Sequence, residues 1–294
     1  MSGDTSATAV KALREATQAG MADCKKALVE TNGNMQEAIV VLRKKGLASA
    51  GKKEGREAKE GVIGYAEDSS AFAIVEINCE SDFVSRSEVF QAYVKEMAHA
   101  ALTTKAVSAE DFVVKKHPQH PSDTIDQYRQ SEMMLKLGEN IQIKRLIRLE
   151  KAADSLICVY SHLGKGALVT AVELTHGNGE DQLGHDIAMQ VASSAPQYLT
   201  PEGVPPEVKA GEEDIHKSKL LQQGKPEKMF DKIIPGMLKK FYAETCLLEQ
   251  AFIKDDALSI AQVIAKRSKE TGKHLAVKRV IRWALGTPGG IIEK

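Results

Sequence analysis

Two short stretches carry the side chains whose type and spacing could support chemistry. Glu76, Glu80 and Asp82 lie close enough in sequence to form a carboxylate group for acid–base catalysis or for a divalent ion. Their loop lacks further oxygen donors at the spacing of an ion-binding loop, so we expect neither role. His117 and His120 alternate with two prolines, but no third ligand lies nearby and proline opposes regular geometry. We therefore predict no metal site there.

The motifs of the common enzyme classes are missing. There is no P-loop, no dinucleotide-binding glycine pattern after a strand, no nucleophile elbow and no zinc-protease histidine motif. We therefore expect no cofactor, and the residues favour an interaction protein. An enzyme built on the Asp82 loop is an alternative, but the lone carboxylate and the missing cofactor motif count against it.

Length and composition are typical of a globular protein with two or three domains. The chain has 294 residues, 43% of them apolar and 27% charged, and its 40 basic side chains balance 40 acidic ones. Zero net charge does not support generic binding to nucleic acid. Four widely spaced cysteines argue against a disulfide framework and fit a reducing compartment. Without an apolar span or a signal-like N-terminus, we expect a cytoplasmic location and no membrane association.

The segment Asn78–Val84 lies between two elements that would position it. The apolar run Ala71–Ile77 predicts a buried strand, and apolar residues at helical spacing over Val89–Ala101 predict an amphipathic helix. An acid and an aromatic residue, Asp82 and Phe83, would then occupy the loop between strand and helix. Loops on rigid scaffolds are common places for binding groups.

Helix-capping signals sharpen this expectation. Ser85 and Glu88 have the spacing of a capping box, and Val84 and Val89 have the spacing of a hydrophobic staple. Because such a staple does not need Phe83, that ring is free to point elsewhere. The alternative is that Phe83 folds back into the core and its acidic neighbour merely closes a turn.

Residues 1–46 predict a small module of three short helices. Asn34 would cap the third helix and Gly46 would end it. Lys25 lies near the start of the second helix, where a positive charge gains nothing from the helix dipole, so a binding partner is one explanation and a solvated face is the other. Residues 47–60 are small and charged, which predicts a linker with some helical character.

The remaining chain predicts a duplicated α+β body with small antiparallel sheets. Residues 61–151 and 152–286 each follow the pattern strand, strand, helix, strand. The segment Ile143–Leu149 matches Val277–Trp283 nearly residue for residue, which favours two related subdomains.

The second copy contains an insertion. Charged helical stretches over 206–236 predict a projecting antiparallel helical hairpin, whose second arm Pro235 should break or kink. A further helix is predicted over Ala257–Ser268, with an end near Gly272. Residues 287–294 predict a loose tail.

Six segments resemble, in order, the signature motifs of one family: Leu13–Glu15, Gly20–Leu28, Ser81–Val84, Gly138–Ile141, Lys239–Tyr242 and Cys246–Gln250. The chain therefore resembles the translation elongation factor Ts family over nearly its whole length. The sequence departs from the family pattern at Gln18, where glycine is common, at Ala22, where methionine is common, and at Ala251, where proline is usual.

The resemblance implies a guanine-nucleotide exchange factor that binds GDP-bound and nucleotide-free elongation factor Tu. It implies that Phe83 enters an apolar slot beside the partner's switch region and that Asp82 perturbs the hydrogen bonds that support Mg²⁺. Ser81 and Val84 would shape the loop. Five further positions match partner contacts of the family: Met21, Lys25, Leu137, Gly138 and His162.

The resemblance also implies a head similar to ubiquitin-associated domains and a partner or dimer contact through the helical hairpin. It implies no direct contact with nucleic acid and no chemical step on a substrate. A competing interpretation is an adaptor that uses the helical head to bind another protein. The motif match along the whole chain counts against that interpretation.

Overall fold

The computed structural model describes residues 5–17 and 19–293, so Gln18 lies outside the described residues. The chain forms two compact units that meet in sequence at Glu150 and Lys151. Both units combine helices with small antiparallel sheets, which confirms the predicted α+β class. The finer division into a head, a linker, two subdomains and a tail stays a prediction.

The first unit begins with helices and continues with a three-stranded antiparallel sheet in the order β1-β2-β3. Its strands are β1 (Glu60–Glu67), β2 (Ala71–Cys79) and β3 (Gln142–Glu150). Its helices are α1 (Ala7–Thr17), α2 (Met21–Glu30), α3 (Met35–Lys53), α4 (Asp82–Ser85), α5 (Glu88–Thr104), α6 (Ala109–Val113), α7 (Ile125–Tyr128) and α8 (Met134–Leu137). A π-helical turn, Arg129–Met133, joins α7 to α8.

The predicted three-helix head is present. Helices α1, α2 and the first half of α3 enclose a small core around Leu13, Leu28 and Leu42, all of which are buried. Asn34 caps α3, because its side-chain oxygen accepts hydrogen bonds from the backbone N–H groups of Gln36 and Glu37. Local periodicity and one cap were therefore enough to predict this module.

The predicted helix end at Gly46 is wrong, because α3 continues to Lys53. Gly46 serves close packing instead: a Cβ atom there would lie 2.8 Å from the carbonyl oxygen of Ser131. The rest of α3 covers residues 47–53 of the predicted linker, for which some helical character was expected, and Ala50 of this part is buried in the main core of the unit. Lys53 donates a hydrogen bond of 2.7 Å to the carbonyl oxygen of Met134.

Two glycines of α3 test this role. Gly46→Ala should lower the free energy of unfolding by about 1–3 kcal/mol, because the added methyl group would meet a backbone oxygen. Gly51→Ala should raise it by about 0.5–1 kcal/mol, because that site is open and alanine favours helix. Urea denaturation of both variants measures the difference, and equal effects would contradict the close-packing role.

The core of the first unit lies between its sheet and α5. Every residue of β2 is buried, and α5 packs against β1 and β2. The largest buried side chains on this interface include Phe90, Tyr93 and Met97 of α5. A central strand packed on all sides gives a rigid support for the segment that follows Cys79.

The second unit has a four-stranded antiparallel sheet in the order β4-β5-β8-β9 and a small hairpin of β6 and β7. Its strands are β4 (Leu156–Ser161), β5 (Leu168–Thr175), β6 (Ala251–Phe252), β7 (Asp255–Ser259), β8 (Ala276–Ala284) and β9 (Gly290–Glu293). Its helices are α9 (Asp181–Ser194), α10 (Pro206–Gln222), α11 (Phe230–Thr245) and α12 (Ile260–Thr271).

The two units repeat the same strand register. In the first, Arg145 of β3 pairs with Glu76 of β2, with 2.7 Å between Nε and Oε2. In the second, Arg279 of β8 pairs with Glu173 of β5 at 2.5 Å. In both sheets the register shifts directly after the glutamate. The sequence echo between the two strands is therefore matched by an equivalent buried ion pair.

The insertion forms the predicted helical hairpin of α10 and α11. Its small core contains Leu220, Phe230, Ile234 and Leu238, whereas Ile215 and Leu221 are exposed. Pro235 does not break the second arm, because α11 runs unbroken from Phe230 to Thr245. Pro235 is exposed. Water can therefore reach the backbone carbonyl that loses its helical donor.

Two other boundaries differ from the prediction. The helix predicted from Ala257 begins three positions later, at Ile260, because Ser259 and Gln262 form a capping box and β7 occupies the residues before it. The predicted loose tail contains β9, which pairs with β8. Ile292 of this strand packs against the core of the second unit, and that burial explains the order.

Candidate functional site

Asp82 and Phe83 lie in the one-turn helix α4 and not in an irregular loop. Ser81 caps this turn, because its hydroxyl oxygen accepts a hydrogen bond of 3.3 Å from the backbone N–H of Val84. Val84 packs against the core of the first unit, whereas the side chain of Phe83 is 84% exposed. The alternative in which Phe83 folds back into the core is therefore wrong.

The predicted capping box of Ser85 and Glu88 is also wrong. Helix α5 begins at Glu88 and is capped by Ser87, whose hydroxyl oxygen accepts a hydrogen bond from the backbone N–H of Phe90. Ser85 instead donates its hydroxyl hydrogen to the carbonyl oxygen of Asp82. The predicted hydrophobic staple of Val84 and Val89 required Ser85 as the cap of this helix, so that prediction is wrong as well.

A carboxylate from a distant segment holds α4 in place. The Oε2 atom of Glu139 accepts hydrogen bonds from the backbone N–H groups of Glu80 (2.9 Å) and Ser81 (3.0 Å). Its other oxygen accepts the hydroxyl hydrogen of Ser81. In return, the backbone N–H of Asn140 donates to Glu80 Oε1 at 2.6 Å. The two segments therefore clamp each other through reciprocal charged hydrogen bonds.

Sequence reasoning did not identify Glu139 as a support of this site. Its hydrogen-bond donors lie 58 and 59 positions earlier in the chain, so no local pattern marks this role. A second support is Cys79, whose thiol donates to the carbonyl oxygen of Ser81 at 3.2 Å. Burial raises the pKa of Cys79 to about 12, so the thiol keeps its proton and remains a donor.

The three carboxylates considered for catalysis each have a separate partner. Glu76 is buried and pairs with Arg145 inside the sheet. Asp82 pairs with Arg86 on the surface, at 3.0 Å. Glu80 belongs to the clamp described above. Among the described residues, these three carboxylates do not come together in a group of metal-binding size.

A cleft within the first unit brings together three of the predicted contact residues. Its volume is about 550 Å³, and its lining includes Met21 of α2 together with Leu137 and Gly138 at the end of α8. Four basic side chains also line it: Arg14, Lys45, Lys53 and Lys136. Met21 is 50% exposed, so an apolar surface is accessible beside positive charge. Lys25 is exposed on α2 but does not line this cleft.

His162 belongs to the second unit, in the turn that joins β4 to β5. It is exposed, and its Nδ1 atom lies 3.0 Å from the hydroxyl oxygen of Tyr160. This hydrogen bond restrains the exposed imidazole ring.

Comparison with known proteins decides the family. The family model described as Elongation factor TS matches residues 80–287. Elongation factor Ts of Protochlamydia amoebophila is 48% identical over 277 residues, which cover 94% of this chain and 97% of that protein. The chain belongs to the elongation factor Ts family. Elongation factor Ts of Chlamydia pneumoniae is 41% identical over 283 residues, which cover 96% of this chain and 99% of that protein.

Membership of the elongation factor Ts family assigns the chain to the elongation phase of protein synthesis. The matched range begins at Glu80 and ends at residue 287, so it contains α4, its Glu139 clamp and the second unit up to the residues before β9. The similar proteins also cover the helical head. Within the described residues, no helix has the length and apolar character needed to cross a membrane.

One feature of this elongation factor Ts chain was wrongly judged from sequence. A third potential ligand does lie near the two histidines: a carboxylate oxygen of Glu96, in α5, is within 4.8 Å of ring nitrogens of His117 and His120. However, His117 Nδ1 accepts hydrogen bonds from the backbone N–H groups of Gln119 (3.1 Å) and His120 (3.2 Å). The ring proton of neutral His117 is therefore on Nε2, which lies 3.2 Å from Glu96 Oε1. Because His117 offers no free lone pair at Nε2, this group fits a hydrogen-bonded turn better than a metal site.

Proposed function

We propose that this chain is a guanine-nucleotide exchange factor that binds elongation factor Tu in its GDP form and accelerates GDP release. The observation that carries the proposal is the exposed Phe83 ring on a rigid, clamped turn, in a chain of the elongation factor Ts family. An apolar ring held 84% in solvent is poorly explained by stability alone and suits insertion into a partner.

The proposed action combines a wedge with a displaced charge. Phe83 enters an apolar slot beside the switch region of the GTPase, while Asp82 disturbs the hydrogen bonds that support Mg²⁺. The surface ion pair of Asp82 with Arg86 contributes at most about 1 kcal/mol, so the carboxylate can exchange partners at little cost. Without Mg²⁺ the phosphate charge of GDP is poorly screened, and GDP leaves faster.

Exchange requires that the factor favour the nucleotide-free state of its partner. A protein that bound both states equally would shift nothing, whatever its affinity. A preorganised Phe83 supplies this difference in affinity between the two states if the apolar slot on the GTPase opens only after the switch region moves. The Glu139 clamp lowers the entropic cost of presenting the ring, because the turn is already ordered in the free protein.

We assign the remaining predicted positions to association with the partner. Met21, Leu137 and Gly138 would receive an apolar element in their shared cleft. Lys25 and His162 would add contacts from the head and from the second unit. The proposed reaction includes no chemical step on a substrate and no nucleic acid. A partner or dimer contact through the helical hairpin stays a prediction.

Stopped-flow release of a fluorescent GDP analogue from elongation factor Tu tests the proposed function. Adding this protein should increase the release rate in proportion to its concentration until the partner is saturated. Excess Mg²⁺ should reduce the acceleration, because the proposed pathway passes through a metal-depleted state. Release that stays at the spontaneous rate would overturn the proposal.

Lys25→Ala should weaken association with elongation factor Tu about fivefold, which corresponds to roughly 1 kcal/mol. The maximal release rate should stay unchanged, because Lys25 is on the head and not on α4. Lys26→Ala is the matched control, since this neighbouring lysine is also exposed on α2. Titration of the release rate measures both quantities. A normal affinity with a reduced maximal rate would contradict the assignment.

A further inference from the structure

The turn between β4 and β5 contains a leucine in an unfavourable backbone conformation. Leu163 has φ 54° and ψ 15°, in the left-handed region that glycine tolerates best. The following glycine, Gly164, also has a positive φ, of 64°, as does Gly166, at 67°. Glycine therefore occupies two nearby positions with positive φ. Position 163 has the same kind of backbone conformation but carries a leucine, for which that conformation is energetically unfavourable.

Burial does not offset this cost in the free protein. The side chain of Leu163 is 73% exposed and belongs to none of the buried clusters of the second unit. A residue that is both strained and apolar in solvent destabilises the isolated chain in two ways. Strain of this kind accumulates where a residue serves binding.

The neighbouring side chains hold the turn in one orientation. Tyr160 packs against the core of the second unit, and its ring meets that of His185 edge-on, with 5.7 Å between centroids. Its hydroxyl group is hydrogen bonded to His162, so the imidazole beside Leu163 is fixed. The tip of the turn thus presents the apolar side chain of Leu163 next to the hydrogen-bonding ring of His162. Neighbouring apolar and polar groups of this kind are typical of the residues that dominate protein interfaces.

We infer that Leu163 is a partner anchor that inserts into an apolar pocket of the GTPase, beside a polar group that receives His162. The inference rests on the proposed function and extends its contact at His162 by one residue. Burial of Leu163 in the complex would offset both the backbone strain and the cost of exposing an apolar side chain in the free protein. Binding is therefore the expected reason that leucine occupies this position.

Leu163→Gly separates binding from folding. Glycine adopts the observed backbone angles freely, so the midpoint of urea denaturation should be no lower than that of the native protein. Its affinity for nucleotide-free elongation factor Tu, measured by isothermal titration calorimetry, should fall at least about tenfold. Leu163→Met, which keeps a long apolar side chain, should bind within about twofold of the native protein.

Val107→Gly is the matched control, because Val107 is also 73% exposed but lies in the first unit, between α5 and α6. It should bind as the native protein does. Native-like affinity of Leu163→Gly, or a loss shared equally by the control, would overturn the inference. A change in self-association of Leu163→Gly without a change in affinity would also overturn it and indicate a second copy as the occupant. If the native protein itself does not bind, the proposed function fails and this inference fails with it.

Discussion

Phe83→Ala is expected to reduce the acceleration of GDP release from elongation factor Tu by about 30-fold, the effect of losing a binding hot spot worth roughly 2 kcal/mol. The ring is almost wholly in solvent in the free protein, so its removal should leave the free energy of unfolding within about 0.5 kcal/mol of the native value. A large functional loss without a stability loss is the signature of a residue that acts only in the complex.

Stopped-flow release with native protein and variant at equal concentrations measures this effect. Val114→Ala is the matched control, because Val114 is 67% exposed in the same unit and lies outside α4. The control should accelerate release as the native protein does. Equal acceleration by Phe83→Ala and native protein would keep the exchange function and assign the mechanism to other contacts.

Glu139→Ala is expected to lower the acceleration of GDP release about tenfold, although Glu139 is not proposed to touch the partner. Its removal leaves the backbone N–H groups of Glu80 and Ser81 without an acceptor, and the hydroxyl of Ser81 without its charged partner. The turn that carries Phe83 would then sample other orientations, and association would have to order it again. Glu139→Gln keeps one acceptor oxygen and should give an intermediate effect.

The double variant Glu139→Ala/Phe83→Ala distinguishes positioning from direct contact. If Glu139 acts by orienting the ring, its loss should matter little once the ring is gone, so the two effects should not add. Additive effects would show that Glu139 contributes independently of Phe83. Denaturation curves for each variant verify that the first unit remains folded in the assay.

Much of the fold follows from signals that act within a few residues. The three helices of the head follow from apolar periodicity and the Asn34 cap, and β2 follows from a run that is apolar apart from Glu76 and Asn78. The duplication could be recognised from the similar sequences of β3 and β8, because each of these strands places an arginine opposite a buried glutamate. Such patterns are local: a cap or a strand face is decided by neighbours along the chain. The motif around Asp82 and Phe83 was visible for the same reason.

Other features depend on which distant segments meet. Gly46 resembles a helix stop until Ser131 packs against it, and Glu139 becomes a clamp because it lies beside a backbone N–H group 59 positions earlier in the chain. The exposure of Phe83 likewise depends on Val84, and not Phe83, filling the core. Local sequence signals were sufficient for most of the helices and strands, for their repeat and for proposing Asp82 and Phe83 as site residues. How those residues are held, and which of them are exposed, follows from long-range packing and buried hydrogen bonds, which leave no periodic trace in the chain.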